Sequence, residues 1–336
     1  MRFFTIVIAL LILASPGCVF AQSKTGTAIG QFLLIEPSAR FAAMGNAGVS
    51  AAEGIQGAYY NPAAVGALDR RELMFTHSTW LADISYDYAA LAIPVRSLGT
   101  FFAAVTSLNS GEMDVRTVEQ PLGTGERFDA ADLAFGLGYG RRITDRFDAG
   151  VQINYVDQRI WHSSLRTVTL NVGTLYRITE GGLRIGSSLV NYGTKAGFGG
   201  RDLRIQYDAD TDIYGDNSSL PAEQHTEEYA LPVLFRVGLL WPVRTGEEHR
   251  LLTAIDAFHP SDNTESVSMG AEWIWKEAFS ARGGYQDLFQ QDAEVGWTFG
   301  LGFRQVMETY GFDLDYAWAD HGRLEDTHRV TFVVRF

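Results

Sequence analysis

The sequence predicts an all-β fold: a transmembrane antiparallel β-barrel of about fourteen strands, with an N-terminal helical segment held in its lumen. Three observations predict it. The chain starts with a short apolar leader, continues as a long series of roughly ten-residue segments of alternating polarity, and finishes on a strand whose last residue is phenylalanine.

The leader comes first. Residues 3–14 are the one long apolar run, and they follow Met1-Arg2. A helix needs about 20 apolar residues to cross a bilayer, so this run is too short to span. With Val19-Phe20-Ala21 ahead of Gln22, residues 1–21 read as a secretory signal peptide cut after Ala21. Cys18 is the sole cysteine and would leave with the leader; Ser15 stands where a lipoprotein signal carries leucine. The mature chain then has no disulfide framework. Losing Arg2 leaves 26 basic residues (27 less one) against 40 acidic, which excludes nucleic acid as a partner. The 35 glycines, 21 Phe, 14 Tyr and 7 Trp suit an exported all-β chain.

Residues 22–70 lack strand alternation. The stretch 32–48 is rich in small residues, with a helical turn expected from Ser38 and stopped at Gly45, and Asn61-Pro62-Ala63 opens a second short helix. We therefore expect three regions: signal peptide 1–21, a hatch (plug) segment 22–70, and a barrel 71–336.

Strands are expected near 72–80, 84–95, 99–108, 129–141, 147–158, 166–178, 183–193, 230–242, 250–258, 266–276, 279–288, 293–304, 311–320 and 327–336. Their faces separate cleanly. Leu133, Phe135, Leu137 and Tyr139 alternate with Ala134, Gly136, Gly138 and Gly140, and Val295, Trp297, Phe299 and Leu301 alternate with Glu294, Gly296, Thr298 and Gly300. If the first strand runs outward, every second connection is a short periplasmic turn. The longest connections, 109–128 and 194–229, then fall outside, with 81–83 as a short exception. The same order puts Trp241, Trp273 and Trp275 near inner strand ends. Trp80, Trp161, Trp318, Tyr86 and Tyr88 fall near outer ends, the pattern of two interfacial belts.

In the last strand Val330, Phe332, Val334 and Phe336 share one face. This resembles the signal read by the outer-membrane barrel-assembly machinery. The opposite faces of the strands leave a set of lumen charges: Arg236, Asp256, Glu272, Arg282, Glu294, Arg304, Asp313, Asp315 and Arg329. The first reading of these is inward ion pairs that fix the barrel and hold the hatch; the second is part of a solute path.

Chemistry of the enzymatic kind is not signalled. The sequence has no Gly-x-Ser-x-Gly, His-Glu-x-x-His or phosphate loop. The run Gly136-Leu137-Gly138-Tyr139-Gly140 imitates a nucleotide motif without a following helix. Asp320, His321 and His328, and the acidic stretch 207–228, read as exposed outer loops rather than metal sites. No cofactor and no catalytic residue are expected.

Arg40 with Ala42-Ala43-Met44-Gly45-Asn46-Ala47-Gly48, then Tyr60-Asn61-Pro62-Ala63, resembles the opening of the PorV/PorQ family of outer-membrane proteins, itself related to FadL-type long-chain fatty-acid transporters. The likeness continues through Asn171-Val172-Gly173-Thr174-Leu175-Tyr176, 181–186 and Val190-Asn191-Tyr192-Gly193. It implies a fourteen-stranded barrel with an internal hatch, of which Arg40, Gly45, Asn46, Gly48, Asn61, Pro62 and Ala63 are structural parts. PorV/PorQ-like relatives serve type IX secretion, binding cargo or handing it to surface attachment machinery. FadL-like relatives pass hydrophobic solutes, with a hatch gating the path. The resemblance puts export or surface attachment first, and passive transport of long-chain fatty acids or other hydrophobic solutes second. The expected partners are outer-membrane lipid and the assembly machinery, with secretion components or exported cargo on the first reading and a hydrophobic ligand in the lumen on the second.

The terminal residue yields a direct test. Phe336→Asp is expected to slow insertion and leave periplasmic aggregates, read as loss of the heat-modifiable band from outer-membrane fractions; normal surface levels would contradict the barrel.

Overall fold

A strand whose side chains alternate apolar and small or polar can bury one face and present the other to lipid, and fourteen such strands close on themselves here. A computed structural model describes residues 25–336 apart from 180–181, 209, 211, 213–218, 245, 247 and 291–292. The expected signal peptide and Cys18 lie outside the described residues.

The barrel strands are β1 (Glu72–Thr79), β2 (Ser85–Val95), β3 (Gly99–Asp114), β4 (Arg127–Thr144), β5 (Phe147–Ile160), β6 (Ser163–Arg177) and β7 (Arg184–Gly193). They continue as β8 (Leu234–Arg244), β9 (His249–Pro260), β10 (Ser266–Trp275), β11 (Phe279–Leu288), β12 (Trp297–Val306), β13 (Gly311–Ala319) and β14 (Thr327–Arg335). Each pairs antiparallel with its sequence neighbours, and β1 pairs with β14 in a register running from Glu72 opposite Arg335 to Thr79 opposite His328. Arg71 and Phe336 exchange backbone hydrogen bonds of 3.1 Å each, so both ends of the barrel sequence meet at one rim. Closure leaves no free edge among these strands, which is what a sheet in hydrocarbon requires.

Phe75, Leu133, Phe135, Leu137, Val168, Leu170, Phe299, Leu301, Val330 and Phe332 face outward and are exposed, as the alternation requires. At the rim where the termini meet, the connections are short, for example 96–98 and 276–278. The opposite rim carries the longest connection, 194–233, within which Arg204–Tyr207 and Leu220–Glu223 pair as a small hairpin.

Several expectations are corrected. The 109–128 stretch is not all loop: β3 and β4 continue as a paired hairpin to Asp114 and Arg127 beyond a register shift between Asn109 and Glu112. The β5–β6 connection is a tight turn at Trp161-His162, a second short connection at the loop-bearing rim. Strand β8 starts at Leu234 rather than 230, and β12 at Trp297 rather than 293. Tyr86 and Tyr88 are buried in the lumen and belong to no lipid belt. Trp80 likewise packs inside, its ring 5.3 Å from that of His321. Position along a strand gives height but not face, and these rings share the face of Ala90 and Ala92, which is inward. Trp161, Trp241, Trp273, Trp275 and Trp297 are exposed on the wall.

The segment ahead of β1 lies against the inner faces of the strands. It contains single helical turns at Gln31–Leu34, Ala39–Ala42, Gly54–Gly57 and Pro62–Val65. Nearly every residue of 32–52 and 55–65 is buried. No helix of fewer than about twelve residues is stable alone in water, so these turns depend on the wall for their shape.

Candidate functional site

The lumen is the candidate site, and its floor is built from the N-terminal segment. Asn61 caps the Pro62–Val65 turn, its side-chain oxygen accepting from the Ala63 amide at 3.1 Å, while Pro62 supplies the preset first position. Its side-chain amide donates to the Val49 carbonyl at 3.1 Å and the Thr174 carbonyl on β6 at 2.9 Å. Gly150 and Gly173 lie so close to Pro62 and Asn61 that any side chain there would strike the segment. Gly45, at φ 64°, sits against the Met269 and Tyr285 carbonyls, and Gly48 lies under the Tyr60 ring. Asn46, also left-handed at φ 63°, donates to Glu36 at 2.6 Å.

Most of the charges singled out in the sequence converge with this floor. The Arg40 guanidinium donates to Glu272 on β10 at 2.6 Å, Arg282 on β11 donates to the same carboxylate at 2.7 Å, and Arg282 reaches Asp315 on β13 at 2.6 Å. Asp315 also accepts from Gln56 at 3.1 Å, whose oxygen accepts from Ser38 at 2.8 Å. All of these side chains are buried. Asp256 accepts from the Val49 amide at 2.7 Å. Asp313 takes Arg304 at 2.9 Å and also pairs with Arg335, near the rim where the termini meet.

Two buried arginines stand apart. Arg236 is enclosed by Tyr59, Tyr60 and Phe258, whose ring centres lie 5.3, 5.7 and 5.8 Å from its guanidinium carbon. Its Nε and Nη1 make no hydrogen bond among the described residues. Arg329 packs over Trp80 at 5.8 Å and lies 3.8 Å from Glu36. Glu294 is the exception: it precedes β12 in the loop-bearing rim and pairs with Arg323, so it is no lumen charge. Its alternation with Trp297 is real, but the strand begins after it.

Above the floor, toward the loop-bearing rim, lie two cavities. One of about 650 Å³ is lined by Ile29, Phe32, Leu34, Ile35, Leu108, Ile160, Phe198 and Val295, with Gln158, Asp132, His321 and Arg329 among its polar members. The other, of about 440 Å³, is mixed, with Leu34, Leu234 and Phe258 beside Arg236, Asp262 and Asp287. Gln31, Leu34, Glu36 and Gln286 line both, so the stretch around the Gln31–Leu34 turn separates them. Beneath that turn only about 30 Å³ of space remains, among Phe32, Tyr59, Tyr86, Tyr88 and Gln152. The sequence reading missed the cavity lining. Residues 28–35 gave no strand or motif signal, and their role comes only from where the segment lies.

The suspected metal candidates do not converge. His321 is buried, bonded to Thr327 at 3.1 Å, whereas His328 is exposed and bonded to Tyr316 at 2.8 Å. In the acidic 207–228 stretch, residues 209, 211 and 213–218 lie outside the described residues, and no group of ligating side chains forms among the described ones.

No protein-family model matches the chain, and no curated protein matches it in sequence. Solved structures do. The toluene transporter TodX of Pseudomonas putida superposes with a TM-score of 0.55 at 12% identity, covering 90% of this chain and 98% of that one. The monoaromatic hydrocarbon channel CymD gives 0.55 at 10% identity over 90% of this chain and 97% of that chain. A Pseudomonas aeruginosa FadL homologue gives 0.50 at 11% identity, covering 88% and 96%. At these identities the likeness establishes the fold alone: a closed antiparallel barrel of fourteen strands like those of these structures.

Two outcomes follow from the lumen chemistry. Glu272→Gln leaves Arg40 and Arg282 without their shared carboxylate, and removing one partner of a buried ion pair costs about 3–5 kcal/mol. The folded band in detergent gels is expected to convert at a clearly lower temperature than wild type, and an unchanged transition would contradict the role of the network. Burial, with Arg329 beside it, holds the His321 imidazole below its ordinary value of 6.5, against the opposing pull of Glu36, Asp320 and Asp326. The neutral ring is the folded form. Its contribution is complete above pH 6.5 and is lost as pH falls through the depressed value. Acid titration of the barrel should change Trp80 fluorescence in this lower window, and His321→Gln should abolish that step.

Proposed function

We propose that this protein is a non-enzymatic outer-membrane barrel that passes hydrophobic solutes from the loop-bearing, outer face toward the periplasm. The rim where the termini meet is then the periplasmic one. One observation carries the reading: the cavity of about 650 Å³ that opens among the outer loops has a mainly apolar wall, in a barrel whose lower lumen is packed. Burying apolar solute surface yields about 25 cal/mol per Å², enough to draw a small hydrocarbon from water without a charged contact. The fold neighbours named as a toluene transporter and a hydrocarbon channel support the same reading. They favour it over the export role that the PorV/PorQ likeness put first.

The part that moves is narrower than the 22–70 hatch segment expected from the sequence. Residues 39–65 are held by buried ion pairs and by backbone contacts to strand glycines. The stretch 29–35 carries no charge and hangs from single hydrogen bonds, beginning with the Ile29 amide, which donates to the Ala230 carbonyl at 3.0 Å. The Gly30 amide donates to Gln158 at 2.8 Å, Gln31 to Asp262 at 2.6 Å, Tyr59 to the Leu33 carbonyl at 2.9 Å and Tyr86 to the Ile35 carbonyl at 3.0 Å. Net values near 1 kcal/mol per bond make its displacement accessible. Moving it joins the upper cavity to the small space beneath.

Leu108→Arg replaces an apolar part of the cavity wall by a long cation opposite Asp132 on β4, filling the cavity and removing apolar contact, and is expected to reduce uptake of a hydrophobic solute about tenfold, the equivalent of about 1.4 kcal/mol. The measurement is accumulation of radiolabelled toluene or oleate at limiting concentration in cells complemented with each form. Equal uptake with normal barrel levels would sink transport. Loss of surface-exported protein in a deletion strain whose uptake is intact would favour export.

A further inference from the structure

We propose that the rim where the termini meet carries a binding site for the phosphate headgroup of an anionic phospholipid. In a chain of formal net charge −13, this rim is locally reversed in sign. A depression of about 700 Å³ is lined by Arg70, Arg71, Arg96, Arg141 and Arg142, with Asp69 as the acidic side chain and Phe336 at the end of the chain beside them. Arg142 is committed to Asp148 at 3.3 Å. The side chains of Arg70, Arg71, Arg96 and Arg141 are exposed and make no ion pair among the described residues. Set against Asp69 and the carboxylate of Phe336, four guanidinium groups outside any ion pair leave the depression net positive and suited to a shared anion. Phosphate oxygens match their planar donor fork.

Lipid is favoured over a free anion by what adjoins the depression. Val95, Leu98, Phe101 and Ile143 are exposed on the outer wall at the same ends of β2, β3 and β4, so a lipid whose headgroup reaches over the rim finds apolar surface for its acyl chains. The Phe101 and Tyr139 rings lie 5.1 Å apart along it. Val95 and the arginines around it therefore present charge and apolar surface in the order a phospholipid does. Under the orientation given above, this is the leaflet of an outer membrane that consists of phospholipid. The site is separate from the solute cavity at the opposite rim, so solute uptake and lipid binding fail independently.

The experiment is native mass spectrometry of the purified full-length barrel released from mixed micelles. These contain equal amounts of dioleoyl phosphatidylglycerol and dioleoyl phosphatidylethanolamine. Wild type should retain phosphatidylglycerol preferentially. The combined Arg70→Gln, Arg71→Gln, Arg96→Gln and Arg141→Gln variant should lose that preference, each arginine contributing about fivefold. The corresponding all-lysine variant should keep it, and solute uptake should be unaltered in both. If the glutamine variant does not reach its heat-modifiable form, the single Arg96→Gln and Arg141→Gln variants serve instead. Equal retention of the two lipids by wild type, or undiminished preference in the glutamine variants, overturns the proposal. Displacement of the lipid by millimolar inorganic phosphate would assign the site to a free anion and overturn it too.

Discussion

Fourteen strands enclose more space than the side chains of their own wall fill, and the Arg40–Glu272 ion pair secures what fills the rest. A guanidinium from the N-terminal segment enters a wall carboxylate that already holds Arg282, which in turn holds Asp315. Each charge is desolvated, so each is stable only with the others present. The segment cannot leave without exposing Arg282 to a half-empty site. Strand glycines complete the constraint: Gly270 and Gly284 receive the backbone around Met44 and Gly45, and Gly186 receives Val49. The wall is thus shaped for this one filling, in register.

Stability is graded along the segment as a result. From residue 39 to 65 it is fixed by buried charge and by close backbone contact. From 29 to 35 its side-chain contacts with the barrel are the Gln158 amide oxygen, the Asp262 carboxylate and the Tyr86 hydroxyl, while Tyr59 of the segment itself holds the Leu33 carbonyl. Glu36 sits at the border, accepting from Asn46 at 2.6 Å and Gln286 at 3.3 Å while Arg329 stands 3.8 Å away. Gln286 lies in an irregular stretch of β11, where the pairing with β10 slips between Val267 and Met269. A local loss of ladder pairing thereby coincides with the boundary between the locked and the loosely held parts of the interior.

The wall was readable in the sequence because lipid imposes a strict period of two: Leu133, Phe135 and Leu137 face out for the same reason that Ala134 and Gly136 face in. Where lipid ends, so does the period. The continuation of β3 and β4 to Asp114 and Arg127 puts Glu112, Asp114, Arg127 and Asp129 on one face and only Met113 and Phe128 on the other, an alternation too short to read once the register shift between Asn109 and Glu112 has broken its phase. Trp80, Tyr86 and Tyr88 were misplaced because aromatic rings suit both an interface and a packed lumen; only register against neighbouring strands decides. The lumen charges were legible as a set, yet not as a network. The pairing of Arg40 with Glu272 joins residues 232 positions apart and depends on how the segment threads the barrel.

That threading also explains why the apolar cavity lies high in the barrel. The ionic network occupies β10, β11 and β13 beneath it, and polar groups such as Gln152, Asn154 and Asn171 line the space under the Gln31–Leu34 turn. An apolar solute in the upper cavity therefore meets a floor that is polar wherever it is not filled. Continuing straight down the axis would strip hydration or bonding from each of these groups, at about 1–3 kcal/mol apiece. The same groups that hold the segment in place make the central axis the costly route. The uncharged stretch around the Gln31–Leu34 turn stands between the upper cavity and that space, whose lining is mixed, with Phe32, Tyr86 and Tyr88 beside Gln152, Asn154 and Asn171.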